Sequence, residues 1–218
     1  MSRAFNVMLA SAMVLSLSAC APSPNAVSHT PSVQAYEAPK VTQKEFDIAL
    51  KSFTVSHDEF VASTFITKGS VYPKPVQNSL LVLIFATGLD DKNKPVLNIA
   101  TDIEADDWWF HGMVSLKTST GVFNMPVDVR HRSDVVQDNS MVQERFLPTA
   151  SLKKSEIQDL CKMASGEKLR VQFWPGMNSK KRAETVNWPN SGLKLLRATC
   201  LIYHGLDQGL TSPSLKDN

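Results

Sequence analysis

The sequence predicts an α+β domain, mainly antiparallel β and sandwich-like, with two short helices near its C-terminus. Period-two alternation of β-branched and aromatic residues recurs from about Gln43 to Thr149. Within it, Leu80 to Ala86 is continuously apolar, as a central strand covered on both faces would be. After Ser155 the spacing of apolar residues changes to three and four, the period of a helix face.

Taken in order, Phe53 and Val55, then Phe60, Ala62, Thr64 and Ile66, alternate as strands, and Tyr72-Pro73-Lys74-Pro75 interrupts them. Gly88 to Pro95, with Asp90, Asp91 and Asn93, reads as a turn, and Leu97, Ile99 and Thr101 as the next strand. Phe110–Thr118 and Val122–Val129 follow, joined by Ser119, Thr120 and Gly121; Pro126 marks the second as an edge or a bulge. Met141–Phe146 is a weaker strand signal. Ser155 and Gln158 have the spacing of a capping box, Ile157, Leu160, Cys161 and Ala164 share a face, and Gly166 sits where a C-cap belongs. Leu169, Val171 and Phe173 form a strand ended by Pro175-Gly176. Asn190 or Ser191 then caps a second helix with Leu193, Leu196, Cys200 and Tyr203 on one face, although Leu195–Tyr203 would also serve as a strand.

At 43% hydrophobic, the chain of 218 residues can bury a single sizeable core. Its charge excludes one class of partner. Of 23 basic residues Arg3 alone lies in the first twenty, leaving 22 against 21 acidic ones, whereas nucleic acid calls for a clustered basic excess.

The N-terminus is built differently. Arg3 precedes an apolar run from Val7 to Leu17, too short for a hydrocarbon core that needs roughly 20 residues but suited to a secretory signal peptide. The run ends in Leu17-Ser18-Ala19-Cys20, which resembles the lipobox of bacterial lipoproteins at all four positions. The resemblance implies cleavage before Cys20, a diacylglyceryl group on its sulfur and, commonly, acylation of the freed amine. Two or more chains would hold the protein on a membrane stably. Ala21 after the cut points to the outer membrane, facing the periplasm. The expected organisation is thus a signal peptide over 1–19, lipidated Cys20 with a flexible tether to 42, one globular domain over 43–210, and a frayed tail over 211–218. Pro22, Pro24, Pro31 and Pro39 among serines and asparagine give the tether too little apolar surface to fold, and as a coil it would reach roughly 25 Å.

With Cys20 lipidated, Cys161 and Cys200 remain as an even pair in an oxidising compartment. Each falls on the apolar face of its helix, so a disulfide between them is expected; two separately buried thiols are the alternative.

No nucleophile elbow, P-loop, His-Glu-x-x-His or paired-cysteine motif occurs, so no catalytic residue, metal or cofactor is assigned. Asp102, Glu104 and Asp106 alternate near Asp107 and His111, but without the glycine-turned loop of calcium sites they read as a solvated strand end. His29, His57, His131 and His204 carry no motif. Lys180-Lys181-Arg182, with Lys194 and Arg197, could meet anionic headgroups or peptidoglycan carboxylates, though so short a run is ordinarily a solvated loop. In Trp108-Trp109-Phe110 a strand would turn Trp109 away from its neighbours, so one face can fill the core while the other offers an indole to a sugar or protein. Trp108 and Trp109 are the binding candidates; if both faces are covered, all three rings are core. Trp174 and Trp188, each before a proline, read as loop packing.

These features favour a non-enzymatic envelope lipoprotein that binds another envelope protein or a cell-wall component such as peptidoglycan. An envelope hydrolase or transferase with dispersed catalytic residues, marked by a cleft gathering His111, Asp102 or Glu104, is one alternative. A small-ligand carrier with a closed apolar cavity is the other.

Overall fold

The computed structural model describes residues 36–58, 63–73, 80–105, 111–125, 129–136, 141–148, 151–175 and 182–215. Cys20, most of the expected tether and Trp108-Trp109-Phe110 lie outside them. The described part forms one compact unit starting at Tyr36.

Among the described residues, three α-helices and ten strands make the α+β fold. The first described element is a helix, α1 (Gln43–Leu50), at the point where the sequence pattern predicts strand. Thr42 is its N-cap: Thr42 Oγ1 accepts from Glu45 N–H at 3.3 Å, and the Glu45 carboxylate accepts from Thr42 N–H at 2.9 Å. This reciprocal pair satisfies two orphan donors of the first turn. Phe46, Ala49 and Leu50 form its buried face.

The larger sheet has six antiparallel strands in the order β1-β2-β3-β4-β8-β7, namely β1 (Thr54–Asp58), β2 (Ser63–Pro73), β3 (Leu80–Leu89), β4 (Pro95–Ala105), β7 (Val129–Val136) and β8 (Met141–Pro148). The apolar run forms β3, a central strand between β2 and β4, but only one of its faces is fully covered. Leu81, Leu83 and Phe85 are fully buried on one face, whereas Val82, Ile84 and Ala86 are half-buried on the other. The turn into β4 is held by Asp90, whose carboxylate accepts from Lys92 N–H at 2.9 Å and Lys94 N–H at 2.7 Å. Asn93 takes the left-handed conformation (φ 56°) that Asn tolerates.

The smaller sheet has four antiparallel strands in the order β10-β9-β5-β6: β5 (His111–Thr118), β6 (Gly121–Asn124), β9 (Arg170–Pro175) and β10 (Glu184–Asn187). Strand β6 stops before Pro126, shorter than its alternation suggested.

Among the described residues, two α-helices lie between β8 and the C-terminus, α2 (Lys154–Ala164) and α3 (Asn190–Asp207). Helix α2 starts one residue before Ser155. Its N-cap is Lys153, whose N–H donates to the Glu156 carboxylate at 2.6 Å. Gly166 is no left-handed cap either. A Cβ there would fall 2.4 Å from Thr118 Oγ1 and 2.5 Å from Thr120 Oγ1, so the residue is small because the β5–β6 turn crosses it. That turn closes the helix: Thr120 Oγ1 donates to Met163 O at 2.9 Å and to Lys162 O at 3.0 Å. From α3, Arg197 adds Nε to Ala164 O at 2.8 Å and a terminal nitrogen to Gly166 O at 2.5 Å. The last carbonyls of α2 are thus met by side chains from two other elements.

Helix α3 runs 18 residues, about 27 Å at 1.5 Å per residue, and is helical through the Leu195–Tyr203 stretch that could have been strand. It packs on β2, β3 and β4 and touches α1 and α2. One core cluster joins β3 and β4, the four strands of the smaller sheet, α2 and α3; a second joins α1, Ile66 and the last turns of α3. Trp188 is core, its indole N–H donating to Ser70 Oγ at 2.8 Å.

The chain ends are docked further than the composition suggested. Val41 is buried, its N–H donating to Gln208 Oε1 at 3.0 Å, while Gln208 Nε2 donates to Pro39 O at 2.8 Å. The stretch Tyr36–Thr42 therefore belongs to the domain rather than to a tether. Leu210 and Leu215 pack against the second cluster.

Candidate functional site

Strand register in the smaller sheet sorts its side chains. Val114 pairs with Phe173, Leu116 with both Val171 and Phe123, and Val186 with Val171, and all six are buried. Because side chains alternate along a strand, the residues between them must share the opposite face. That face forms three rows. Trp174 pairs with Met113. The next row crosses the whole sheet as Thr185, Gln172, Ser115 and Asn124, all carrying amides or hydroxyls. The third runs Asn187, Arg170, Lys117 and Val122.

These rows, Asn187 aside, line a depression of about 430 Å³. Trp174 is 39% exposed and Val122 54%. The buried Ser115 Oγ donates to Asn124 Oδ1 at 2.7 Å, which fixes the orientation of the exposed Asn124 amide. Lys117 and Arg170 face each other across β5 and β9, and among the described residues no Asp or Glu lines the depression. Like charges opposite each other on a sheet are destabilising, so an anion between them would relieve that repulsion.

A second cavity, about 260 Å³, lies between the chain segment Tyr36–Val41, α2 and α3, with Cys161 and Cys200 in its wall. The two cysteines stand at disulfide distance, Cα atoms 5.7 Å apart, within the usual range. His204, 3% exposed, shares a hydrogen bond with the Tyr36 hydroxyl at 3.1 Å. Burial lowers the His204 pKa below 6.5; Asp207 opposes the shift and Lys154 adds to it. Burial also raises the Tyr36 hydroxyl above 10.0. A neutral imidazole held by a phenol and a guanidinium already committed to α2 carbonyls make a structural joint rather than an activated nucleophile.

Compared with known protein families, curated proteins and solved structures, the chain matches none.

The sequence-derived candidates fare unevenly. Cys161 and Cys200 are brought together. Cys20, Trp108, Trp109, Asp106, Asp107, Lys180 and Lys181 fall outside the described residues. Asp102 is buried and Glu104 half-buried on β4 of the larger sheet, so neither is the solvated strand end expected, and His111 begins a strand of the other sheet. His57 Nδ1 meets Thr64 Oγ1 at 3.2 Å across the β1–β2 pair. Trp174 is the residue that sequence reasoning misplaced. In Arg170-Val171-Gln172-Phe173-Trp174, period two puts the indole with Arg and Gln, on the face opposite Val and Phe. The following Pro175 masked that signal.

Proposed function

We propose that this chain is a bacterial envelope lipoprotein, held by lipid on Cys20 in the outer membrane, whose periplasm-facing domain is a non-enzymatic binding module. The observation that carries the binding role is the outer face of the smaller sheet. An exposed indole, amide and hydroxyl side chains and two cations are gathered there in register over a shallow depression. Indole is amphipathic and rigid, so an exposed one on a polar face suits recognition of a sugar or protein. The anchoring role rests on Leu17-Ser18-Ala19-Cys20. Among the described residues no helix is long and apolar enough to cross a membrane.

Both halves are testable in cells. Cys20→Ser should abolish acyl labelling and leave unprocessed precursor; wild-type labelling of that variant would end the lipoprotein reading. A photocrosslinking residue at position 174 or 122 should capture an envelope component, whereas one at Ile48, 57% exposed on α1, should not. Equal capture from all three positions would remove this face as the binding surface.

A further inference from the structure

We infer that the occupant of this face is a glycan strand bearing carboxylates, the chemistry of peptidoglycan with its stem peptides; the inference rests on the binding role just proposed. The order of the three rows is what carries it. Trp174 and Met113 offer an apolar platform at one end. A sugar ring presents axial C–H groups to such a platform, while its hydroxyls and N-acetyl groups point outward along its rim.

The middle row fits that rim. Thr185, Gln172 and Asn124 supply donors and acceptors in one line, with the buried Ser115 between them holding Asn124 in place. The far row supplies Arg170 and Lys117, four strand residues from Trp174 on β9 and thus about 13 Å away at 3.3 Å per residue. A carboxylate there accepts charge-assisted bonds from both and relieves their mutual repulsion. An acidic peptide would satisfy the cations and, through its backbone, the polar row. It lacks the sugar's C–H face that lies flat on the indole while the ring's rim meets the row. A neutral glycan would satisfy the indole and the row but leave the cations facing each other.

Cosedimentation of the full-length lipoprotein, in detergent, with purified insoluble peptidoglycan tests this. Saturable binding is expected, weakening steeply with salt, and weakened about tenfold, equivalent to about 1.4 kcal/mol, by Trp174→Ala and by Lys117→Gln with Arg170→Gln. Capping the peptidoglycan carboxylates as neutral amides should abolish the effect of the double substitution. Chitin, a neutral glycan, should bind weakly and be indifferent to it. Because all three residues are exposed or paired at the surface, thermal unfolding of the variants should match wild type. Binding that is equal on amidated and native peptidoglycan, or unchanged in the double variant, overturns the inference. So does stronger retention on anionic lipid vesicles or on an acidic protein. Crosslinking from position 174 to a protein, with no peptidoglycan binding, overturns the glycan while leaving the binding face; no capture from either position removes both.

Discussion

Reduction of Cys161 and Cys200 should lower the stability of the domain by about 4 kcal/mol. The cysteines are 39 residues apart, and closing a loop of that length removes about 13 cal/mol/K of entropy from the unfolded chain, which at 25 °C is about 4 kcal/mol. The folded state gives little of this back. With Cα atoms 5.7 Å apart and both residues buried between α2 and α3, the thiols stay packed as small apolar groups when the link is cut. Leu160 and Leu196 on the two helices, both fully buried, still hold them together. Urea denaturation with and without dithiothreitol measures the difference. With a slope near 2 kcal/mol/M the midpoint should fall by about 2 M. The Cys161→Ala, Cys200→Ala double variant should follow reduced wild type to within about 1 kcal/mol and ignore the reductant. The reasoning fails if reductant leaves the wild-type midpoint unchanged, or if denatured periplasmic protein shows two free thiols before reduction.

Three other outcomes follow from the packing. Arg197→Ala removes the donors from Ala164 O and Gly166 O and should cost about 1–3 kcal/mol, read by the same denaturation, with less than about 0.5 kcal/mol counting against the cap. Gly88→Ala would set a Cβ 1.8 Å from Thr64 O on the neighbouring strand, and a loss of about 2–3 kcal/mol or more is expected; a neutral effect would refute that close approach. For His204, the buried ring favours its neutral form, so the unfolded chain binds the proton more readily. Stability from this source is therefore full above about pH 6.5 and falls as pH drops towards the lower folded value. Wild type should lose more stability than His204→Gln between pH 7.5 and 5.5, and parallel curves would exclude His204 as the cause.

Local pattern carried much of this fold because local pattern encodes burial. The apolar run at Leu80–Ala86 suited a central strand, the alternation at Leu97–Thr101 and Leu169–Phe173 fixed which residues face inward, and the three- and four-residue spacing of Ile157, Leu160 and Cys161 fixed a helix face. The charge balance and the Leu17–Cys20 motif are likewise properties of the chain alone. Other elements had to wait for neighbours. Helix α1 is eight residues long, and its apolar face gains a reason to form when it meets α3. Strands β7 and β10 carry weak alternation and are ordered by pairing, β7 with β8 and β10 with β9. Gly166 was legible as a helix end, yet its smallness answers to Thr118 and Thr120, 48 and 46 positions earlier in the chain. Proximity of Cys161 to Cys200 depended on how α2 and α3 lie, which no spacing specifies. The candidate face shows the same division. Sequence period places Arg170, Gln172 and Trp174 on one side of a strand, but the sheet register alone sets Lys117 beside Arg170 and builds the polar row between them and the indole. Alternation is a property of one strand; a site that spans four strands is a property of their pairing.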